Sequence, residues 1–249
     1  MRSAALTVAD CDFYHSIDLP ESGPHEGLWD LRGRFDDYTG HVPLAGKTVL
    51  DVGTASGFLT FEAEKRGATV TSFDIAGAHQ SYELPFHWST FTTDRAAWIA
   101  AVDTPFDRMK NSYWLAHREL DSAADCVYGD VYDLSPDIGV FDVVLVGQVL
   151  IHLRDGISAL AAAASVCSET LVVTEGSFDA AEPLAALSGR NDRPDVAYAW
   201  YQYSHGWYRE ILAMLGFADV EITTGTYTCC EPSHEKEIEL ATIVASRSS

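Results

Sequence analysis

The sequence predicts an α/β protein with a mostly parallel sheet that is covered by helices on both faces. From Lys47 onward, short apolar runs alternate with helical stretches, and this alternation is typical of parallel sheets. Of the 249 residues, 47% are hydrophobic and 21% are charged, as in ordinary globular proteins. The length fits one large domain with an added cap, or two small domains. We expect the first arrangement.

Five apolar runs predict the parallel strands, and each is followed by a glycine or a polar residue. They are Thr48–Val52, Ala68–Phe73, Ala124–Tyr128, Phe141–Val146 and Thr170–Thr174. Helical character lies between or after them at Leu59–Arg66, at Gly156–Val166, and from Ser204, a typical N-cap residue, to Leu215.

The last part of the predicted sheet is an antiparallel hairpin. Phe217–Thr224 and Glu239–Ala245 both have strand character, and no helical stretch separates them. A long loop from Gly225 to Lys236 is predicted to join the two strands.

Two segments are predicted to lie outside the regular alternation. Residues 1–42 are polar and rich in turn residues, which predicts an N-terminal cap or lid on the main domain of residues 43–249; Trp29, Leu31 and Phe35 are expected on one face of a short helix. An insertion of about residues 76–125 follows the second strand, where a plain crossover needs only about a dozen residues. Its aromatic residues predict either ordinary helix packing or a wall over a ligand pocket; they include Tyr82, Phe86, Trp88, Phe91, Trp98, Phe106, Tyr113 and Trp114.

The charge and cysteine content restrict the partners and the compartment. The formal net charge is −21, and such a surface repels phosphate backbones and anionic membranes. A small molecule is therefore favoured as the partner over a nucleic acid or a membrane, with a homodimer left open. The five cysteines are irregularly spaced and no apolar run reaches about 18 residues, so a reduced, soluble, cytoplasmic protein is expected.

The strongest local motif is a glycine-containing turn between the first strand and its helix. The sequence Val49-Leu50-Asp51-Val52-Gly53-Thr54-Ala55-Ser56-Gly57-Phe58 brings two glycines to the end of a buried strand. Glycine allows positive φ and lets a ligand approach the backbone closely. Ligands of open α/β sheets bind at this edge. The motif therefore predicts a nucleoside-type ligand, although its spacing is not the G-x-G-x-x-G of dinucleotide sites.

Acidic residues at the ends of neighbouring strands sharpen this prediction. Asp51 would repel a pyrophosphate and could meet the ammonium of an amino-acid moiety. Asp74 ends the second strand, where a carboxylate can accept hydrogen bonds from ribose hydroxyls. Asp130 ends the third strand and could accept from an adenine amino group, with Val131 covering the ring. Gln148 follows the fourth strand and can reach the same cleft.

Over about residues 47–247 the chain resembles class I methyltransferases, which use S-adenosylmethionine. The resemblance is carried by the loop Asp51–Gly57, by Asp74, by Tyr128-Gly129-Asp130-Val131 and by the strand Phe141–Gly147. It implies a Rossmann-like, doubly wound sheet of seven strands with an antiparallel last strand. It also implies S-adenosylmethionine as the cofactor, S-adenosylhomocysteine as its product, and a cofactor site built from Asp51, Gly53, Thr54, Gly57, Asp74, Ile75, Asp130, Val131 and Gln148.

A narrower resemblance is to the branch that contains the carboxymethyltransferase acting on tRNA wobble uridine. His15-Ser16-Ile17-Asp18-Leu19 and the stretch from Gly147 to Asp155 carry it. Ile151 stands where that enzyme has a tyrosine, and the acidic charge does not suit tRNA. We therefore take from this branch only the fold and the cofactor site.

Three residues are predicted to serve the chemistry. His152 follows the fourth strand, and a neutral imidazole there could remove a proton from the acceptor; its alternative role is to pack or cap the next helix. His15 could close over the acceptor from the cap, or it could make a structural hydrogen bond. Tyr14 could bind the acceptor or shield a sulfonium, or it could simply pack. An aromatic stretch including Tyr198, Trp200, Tyr201, Tyr203, Trp207 and Tyr208 could line the acceptor pocket or pack in the core.

The sequence thus predicts methyl transfer from S-adenosylmethionine to a small molecule in biosynthetic or secondary metabolism, without naming the O, N or C atom that accepts it. No metal is expected, because Cys229, Cys230, Glu231 and His234 lack the usual spacing of zinc ligands. Three alternatives stay open: an RNA-modifying methyltransferase, an inactive methyltransferase-like partner subunit, and an NAD-dependent oxidoreductase.

Overall fold

The computed structural model describes residues 6–81, 94–188, 199–231 and 234–248. The N-terminal segment contributes the short strands β1 (Ile17–Leu19), β2 (Gly23–His25) and β3 (Trp29–Asp30) and the single-turn helix α1 (Phe35–Tyr38). The strands β1 and β2 form an antiparallel hairpin of their own.

The parallel strands begin after this segment. They are β4 (Thr48–Val52), β5 (Thr69–Asp74), β6 (Asp125–Tyr128), β7 (Phe141–Gly147) and β8 (Cys167–Glu175). The helices α2 (Phe58–Lys65), α3 (Arg95–Glu119) and α4 (Gly156–Ser165) lie between them in the chain. Three small strands, β9 (Ser177–Phe178), β10 (Ala185–Leu187) and β11 (Tyr201–Ser204), precede α5 (His205–Met214), and β12 (Phe217–Glu231) and β13 (His234–Arg247) complete the order.

The main sheet confirms the predicted fold class. In the described residues its strand order is β3-β12-β13-β8-β7-β4-β5-β6. The strands from β8 to β6 are parallel, and β13 is antiparallel to both β8 and β12. The described sheet has eight strands where seven were predicted, because β3 of the N-terminal segment pairs with β12 at two positions.

The hairpin of β12 and β13 is longer than predicted. The expected loop from Gly225 to Lys236 is wrong for the described residues of that range, because pairing continues from Gly225 opposite Leu240 to Glu231 opposite His234. Along this extension Tyr227 is 1% exposed and Cys229 is 5% exposed, while their neighbours are less buried. The N-terminal segment covers that face, so the extension gains a buried side that the local sequence does not reveal.

The expected short helix with Trp29, Leu31 and Phe35 on one face is also wrong. Trp29 lies in β3, Leu31 lies in the following turn, and α1 begins only at Phe35. All three side chains are nevertheless buried. Pairing of Trp29 with Cys229 of β12 outweighs the local helical spacing.

Apolar residues fill both faces of the sheet, as expected for a parallel sheet between helices. Leu50, Val144 and Leu171 belong to the cluster under α4 and α5, and Val49 and Leu145 belong to the cluster under α2 and the N-terminal segment. Within the described parts of the chain, no helix has the length and apolar character needed to cross a membrane.

Candidate functional site

A cavity of about 250 Å³ lies at the carboxyl edge of β4, β5 and β7. Gly53, Asp74 and Gly147 reach it from the ends of these strands or directly after them. Phe106 and Met109 of α3 form part of its wall, whereas Tyr113 of the same helix packs against Phe61 in the core. Tyr82, Phe86, Trp88 and Phe91 of that insertion lie outside the described residues.

Most of the predicted site residues come together around this cavity. Its lining includes Tyr14, His15, Gly53, Asp74, Ile75, Val131, Gln148 and His152. The remaining predicted residues do not line it. Asp51 lies behind the glycine turn, and Thr54 and Gly57 belong to the turn itself. Asp130 caps a short 3-10 turn by accepting a hydrogen bond from the Tyr132 N–H at 3.0 Å.

The glycine turn has the backbone geometry that its sequence predicts. The φ angles are 78° at Gly53, 49° at Ala55 and 90° at Gly57. A Cβ at Gly53 would lie 2.5 Å from Cγ2 of Val149, and a Cβ at Gly57 would lie 2.4 Å from the Phe61 ring. Both positions therefore require glycine for backbone conformation and for space.

Asp74 joins the turn to the cavity. Its Oδ2 accepts the Ala55 N–H at 2.8 Å, and its Oδ1 accepts the Ile75 N–H at 2.7 Å. Burial raises the pKa of this carboxyl, and the two N–H groups act in the opposite direction. Each carboxylate oxygen can accept more than one hydrogen bond, so Asp74 can hold the turn and still accept from ligand hydroxyls.

Asp51 lies behind the turn at the centre of a buried polar network. Its Oδ2 accepts a hydrogen bond from the Thr60 hydroxyl at 2.8 Å. The same hydroxyl oxygen lies 3.0 Å from Thr54 Oγ1 and 2.6 Å from Ser72 Oγ. Ser72 Oγ in turn lies 2.9 Å from the Tyr113 hydroxyl. Asp51 is fully buried, and burial raises its pKa to about 6. Its Oδ1 has no hydrogen-bond partner among the described residues.

The N-terminal segment closes the cavity opposite the strand ends. The backbone N–H of His15 donates to Ser56 Oγ at 2.9 Å, and its Nδ1 lies 3.4 Å from the same oxygen. The His15 ring is 8% exposed, and burial lowers its pKa to about 3. Tyr14 packs edge-on against this ring, with the ring centroids 4.9 Å apart. His15 is thus a neutral side chain tied to the glycine turn.

His152 reaches the cavity from a tight turn after β7, which we call the 148–152 turn. Gln148 has a φ of 54°, and its N–H donates to the Thr174 carbonyl at 2.8 Å. The His152 N–H donates to the Val149 carbonyl at 3.1 Å. The turn therefore directs Gln148, Val149 and His152 toward the cavity from one short piece of backbone.

Glu175, at the end of β8, was not predicted as a site residue. It is 1% exposed, and its Oε1 accepts the Leu150 N–H of the 148–152 turn at 2.6 Å. Burial raises its pKa to about 8. Its position at the carboxyl end of a parallel strand was a signal available in the sequence, since Asp74 was predicted on the same ground.

The aromatic residues of β11 and of the first turn of α5 pack in the core. Tyr203 and Trp207 stack with their ring centroids 3.9 Å apart, and Tyr208 is fully buried beside them. None of these rings is among the described residues that line the cavity, so packing accounts for them. Tyr198 lies outside the described residues.

The residues at this edge fit an adenosyl amino-acid ligand. Asp51 lies behind the glycine turn and does not line the cavity, so it is placed to support the turn and the predicted contact with an ammonium group stays a prediction. Asp74 opens into the cavity, and Ile75 and Val131 provide apolar walls. In the described parts of the chain, no group of three His, Cys, Asp or Glu side chains is arranged to hold a metal ion, and the metal-free site stays a prediction.

No protein-family model and no curated protein matches the chain by sequence. Solved structures match its fold. The N-terminal domain of EvdMO1, in the presence of S-adenosylhomocysteine and D-fucose, is 14% identical, with 95% of this chain and 91% of that chain covered and a TM-score of 0.57. Magnesium protoporphyrin IX methyltransferase from Synechocystis, with bound S-adenosylmethionine, is 17% identical, with 88% and 78% covered and a TM-score of 0.51.

A Pyrococcus horikoshii protein, named provisionally as an RNA methyltransferase, is 12% identical, with 97% of this chain and 96% of that chain covered and a TM-score of 0.56. The resemblance to the tRNA wobble-uridine branch stays a prediction. The strand order, the glycine turn at the carboxyl edge and these matches together show that the chain has the class I methyltransferase fold.

Proposed function

We propose that this protein transfers a methyl group from S-adenosylmethionine to a small-molecule acceptor. The observation that carries the proposal is the edge cavity, in which Asp74 joins the glycine turn to a space lined by Gly53, Ile75 and Val131. When bound, S-adenosylmethionine supplies a methyl group on a positively charged sulfur. Gly53 would let the ligand approach the backbone, Asp74 would accept from the ribose hydroxyls, and Asp51 would support the glycine turn from behind through Thr60.

His152 is the residue we assign as general base for acceptors that must lose a proton. It lines the cavity, as His15 does. The pKa of His15 is lowered to about 3 by burial, which makes that ring a poor proton acceptor near neutral pH. In this proposal His15 and Tyr14 shape the cavity and exclude water, and alignment of the reacting groups provides much of the rate enhancement.

Titration calorimetry tests the cofactor class directly. S-adenosylmethionine and S-adenosylhomocysteine should both bind, with dissociation constants on the order of micromolar, and NAD should not bind. Binding of NAD alone would favour the oxidoreductase alternative. Absence of binding by all three ligands would contradict the proposal and favour an inactive methyltransferase-like subunit.

A screen with S-adenosylmethionine labelled in its methyl group tests the acceptor class. Small hydroxylated and amine compounds should become labelled, and tRNA should not. Once an acceptor is found, His152→Ala should lower the transfer rate by about 10²–10⁴-fold if it is the base. His234→Ala, an exposed histidine on β13, is the control. Labelling of tRNA alone would support the RNA-modifying alternative.

A further inference from the structure

The Glu175 side chain connects the end of β8 to the backbone of the 148–152 turn. Its Oε1 accepts the Leu150 N–H at 2.6 Å, and the N–H groups of Val149 and Ile151 also face the carboxylate and lower its pKa. Thr174, the preceding residue, accepts the Gln148 N–H at 2.8 Å. Two consecutive residues of β8 therefore hold successive N–H groups of the turn.

The 148–152 turn has a strained backbone conformation that requires stabilising contacts. Gln148 has a φ of 54°, a left-handed conformation that a non-glycine residue adopts at a cost in free energy. The hydrogen bonds to Thr174 and Glu175 stabilise the turn in that conformation. Without them, relaxation of Gln148 toward negative φ would redirect the backbone that follows it.

The turn carries side chains on which the site depends. Gln148, Val149 and His152 all line the cavity. Val149 also packs on the glycine turn so closely that a Cβ at Gly53 would lie 2.5 Å from its Cγ2. A displacement of the turn would therefore move His152 and change the support of the cofactor loop at the same time.

Packing alone does not account for Glu175. The side chain is 1% exposed, and its Oε2 has no hydrogen-bond partner among the described residues. Among the described residues, the hydroxyls of Tyr38, Tyr203 and Tyr208 interact electrostatically with this carboxyl, and burial raises the pKa of all three. A buried carboxyl with one unpartnered oxygen is less favourable than an apolar side chain of similar size, which points to a role for its hydrogen bonds to the turn.

We propose that Glu175 is a positioning residue that holds the 148–152 turn through its backbone N–H groups and thereby directs His152 and Gln148 into the cavity. Glu175 does not line the cavity itself. The inference rests on the proposed function for the role of His152 as a general base, but the hydrogen bonds of the 148–152 turn exist in the ligand-free protein.

Nuclear magnetic resonance of the ligand-free protein at pH 9 tests this geometry with two variants. In Glu175→Gln one carbonyl oxygen remains, so the turn stays in place, while the Leu150 amide proton moves upfield because its acceptor is no longer ionised. In Glu175→Leu the acceptor is lost, so exchange of the Leu150 and Ile151 amides should accelerate by about tenfold or more and the ring signals of His152 should shift. Amides of Val49 and Leu50 in β4 serve as the internal control.

Two results would overturn the proposal. An unchanged Leu150 amide shift in Glu175→Gln would show that the carboxylate does not bind that N–H. Unchanged His152 ring signals in a folded Glu175→Leu protein would show that the contact does not position the ring. If Glu175→Leu does not fold, the Glu175→Gln comparison still decides whether the carboxylate binds the Leu150 N–H. Glu175→Met then takes the place of Glu175→Leu in the test of the His152 ring position.

Calorimetry with S-adenosylhomocysteine separates this inference from the proposed function. Under both proposals the wild type and Glu175→Gln bind with affinities within about threefold of each other, and Glu175→Leu binds about tenfold more weakly because Val149 no longer supports the glycine turn. Failure of the wild type to bind would contradict the proposed function and leave the spectroscopic result on the turn intact.

Discussion

The two sides of the cavity use the same chemistry for different purposes. On the β5 side, Asp74 accepts backbone N–H groups from Ala55 and Ile75 and lines the cavity. On the β8 side, Glu175 accepts the N–H of Leu150 but lies beneath the turn that it holds. A carboxylate at a strand end can thus contact a ligand or position the residues that do. Its exposure to the cavity distinguishes the two roles.

Loss of the β5 carboxylate should have the largest effect on binding. Asp74→Ala removes the expected acceptor for the ribose hydroxyls and also the anchor of the Ala55 N–H. We expect the affinity for S-adenosylhomocysteine to fall by about 100-fold, which corresponds to about 2.7 kcal/mol. Titration calorimetry with S-adenosylhomocysteine measures this change in affinity.

Asp142→Ala is the matched control for Asp74→Ala. Asp142 lies near the start of β7, at the opposite edge of the sheet, and its Oδ2 accepts the N–H and the hydroxyl of Thr48 at 2.8 Å and 3.0 Å. Removing it should leave the affinity within about twofold. Equal losses in both variants would mean that Asp74 acts through stability and not through contact with the ligand.

A glycine pair tests the contact between the two sides of the cavity. Gly53 and Gly46 have similar φ angles of 78° and 75°, but a Cβ would strike Val149 at Gly53 and would meet no atom within 4 Å at Gly46. Both alanine variants suffer backbone strain of about 1 kcal/mol. Gly53→Ala should lose about 1–3 kcal/mol more, because valine cannot easily turn away. Chemical denaturation measures the difference in the free energy of unfolding. Equal losses in the two variants would mean that the 148–152 turn can move away from the new Cβ without destabilising the protein.

The parallel part of the fold could be predicted because its signals are local. The run from Thr48 to Val52 is a strand with the predicted bounds, and Ser204 caps α5 by accepting the Trp207 N–H. Gly53 and Asp74 were found because a strand end, a positive φ and a ligand edge follow from short sequence patterns. These elements require little knowledge of distant residues.

The parts that were not predicted depend on residues far apart in the chain. Strand β12 extends through Cys229 because Trp29 pairs with it across about 200 positions of sequence. Glu175 supports a turn that begins at Gln148, directly after the neighbouring strand β7. No local pattern contains such a contact, since only the sheet order brings β8 beside β7 and the N-terminal segment beside β12.

The β8 side should differ from the β5 side in its response to pH. The pKa of Glu175 is raised by burial from 4.5 to about 8, so the folded state binds this proton more tightly than the unfolded state. The contribution of this group to stability is therefore fully present below about pH 4.5 and is lost as the pH rises through 8. Its slope reaches about 1.4 kcal/mol per pH unit between these values.

Between pH 6.5 and 8, the difference between the wild type and Glu175→Gln isolates Glu175 from the other shifted groups of the site, because those groups are present in both proteins. Burial raises the pKa of Asp51 to about 6 and also raises that of Asp74, and it lowers the pKa of His15 to about 3, so these groups act mainly at lower pH and contribute equally in the two proteins. The neighbouring Tyr203 titrates near 12. In urea denaturation across this window, the free energy of unfolding should fall with rising pH in the wild type. In Glu175→Gln the fall in the free energy of unfolding should be much smaller. Parallel curves for the two proteins would mean that water or a rearranged turn relieves the buried charge, and the β8 carboxyl would then resemble Asp74 in having access to the cavity.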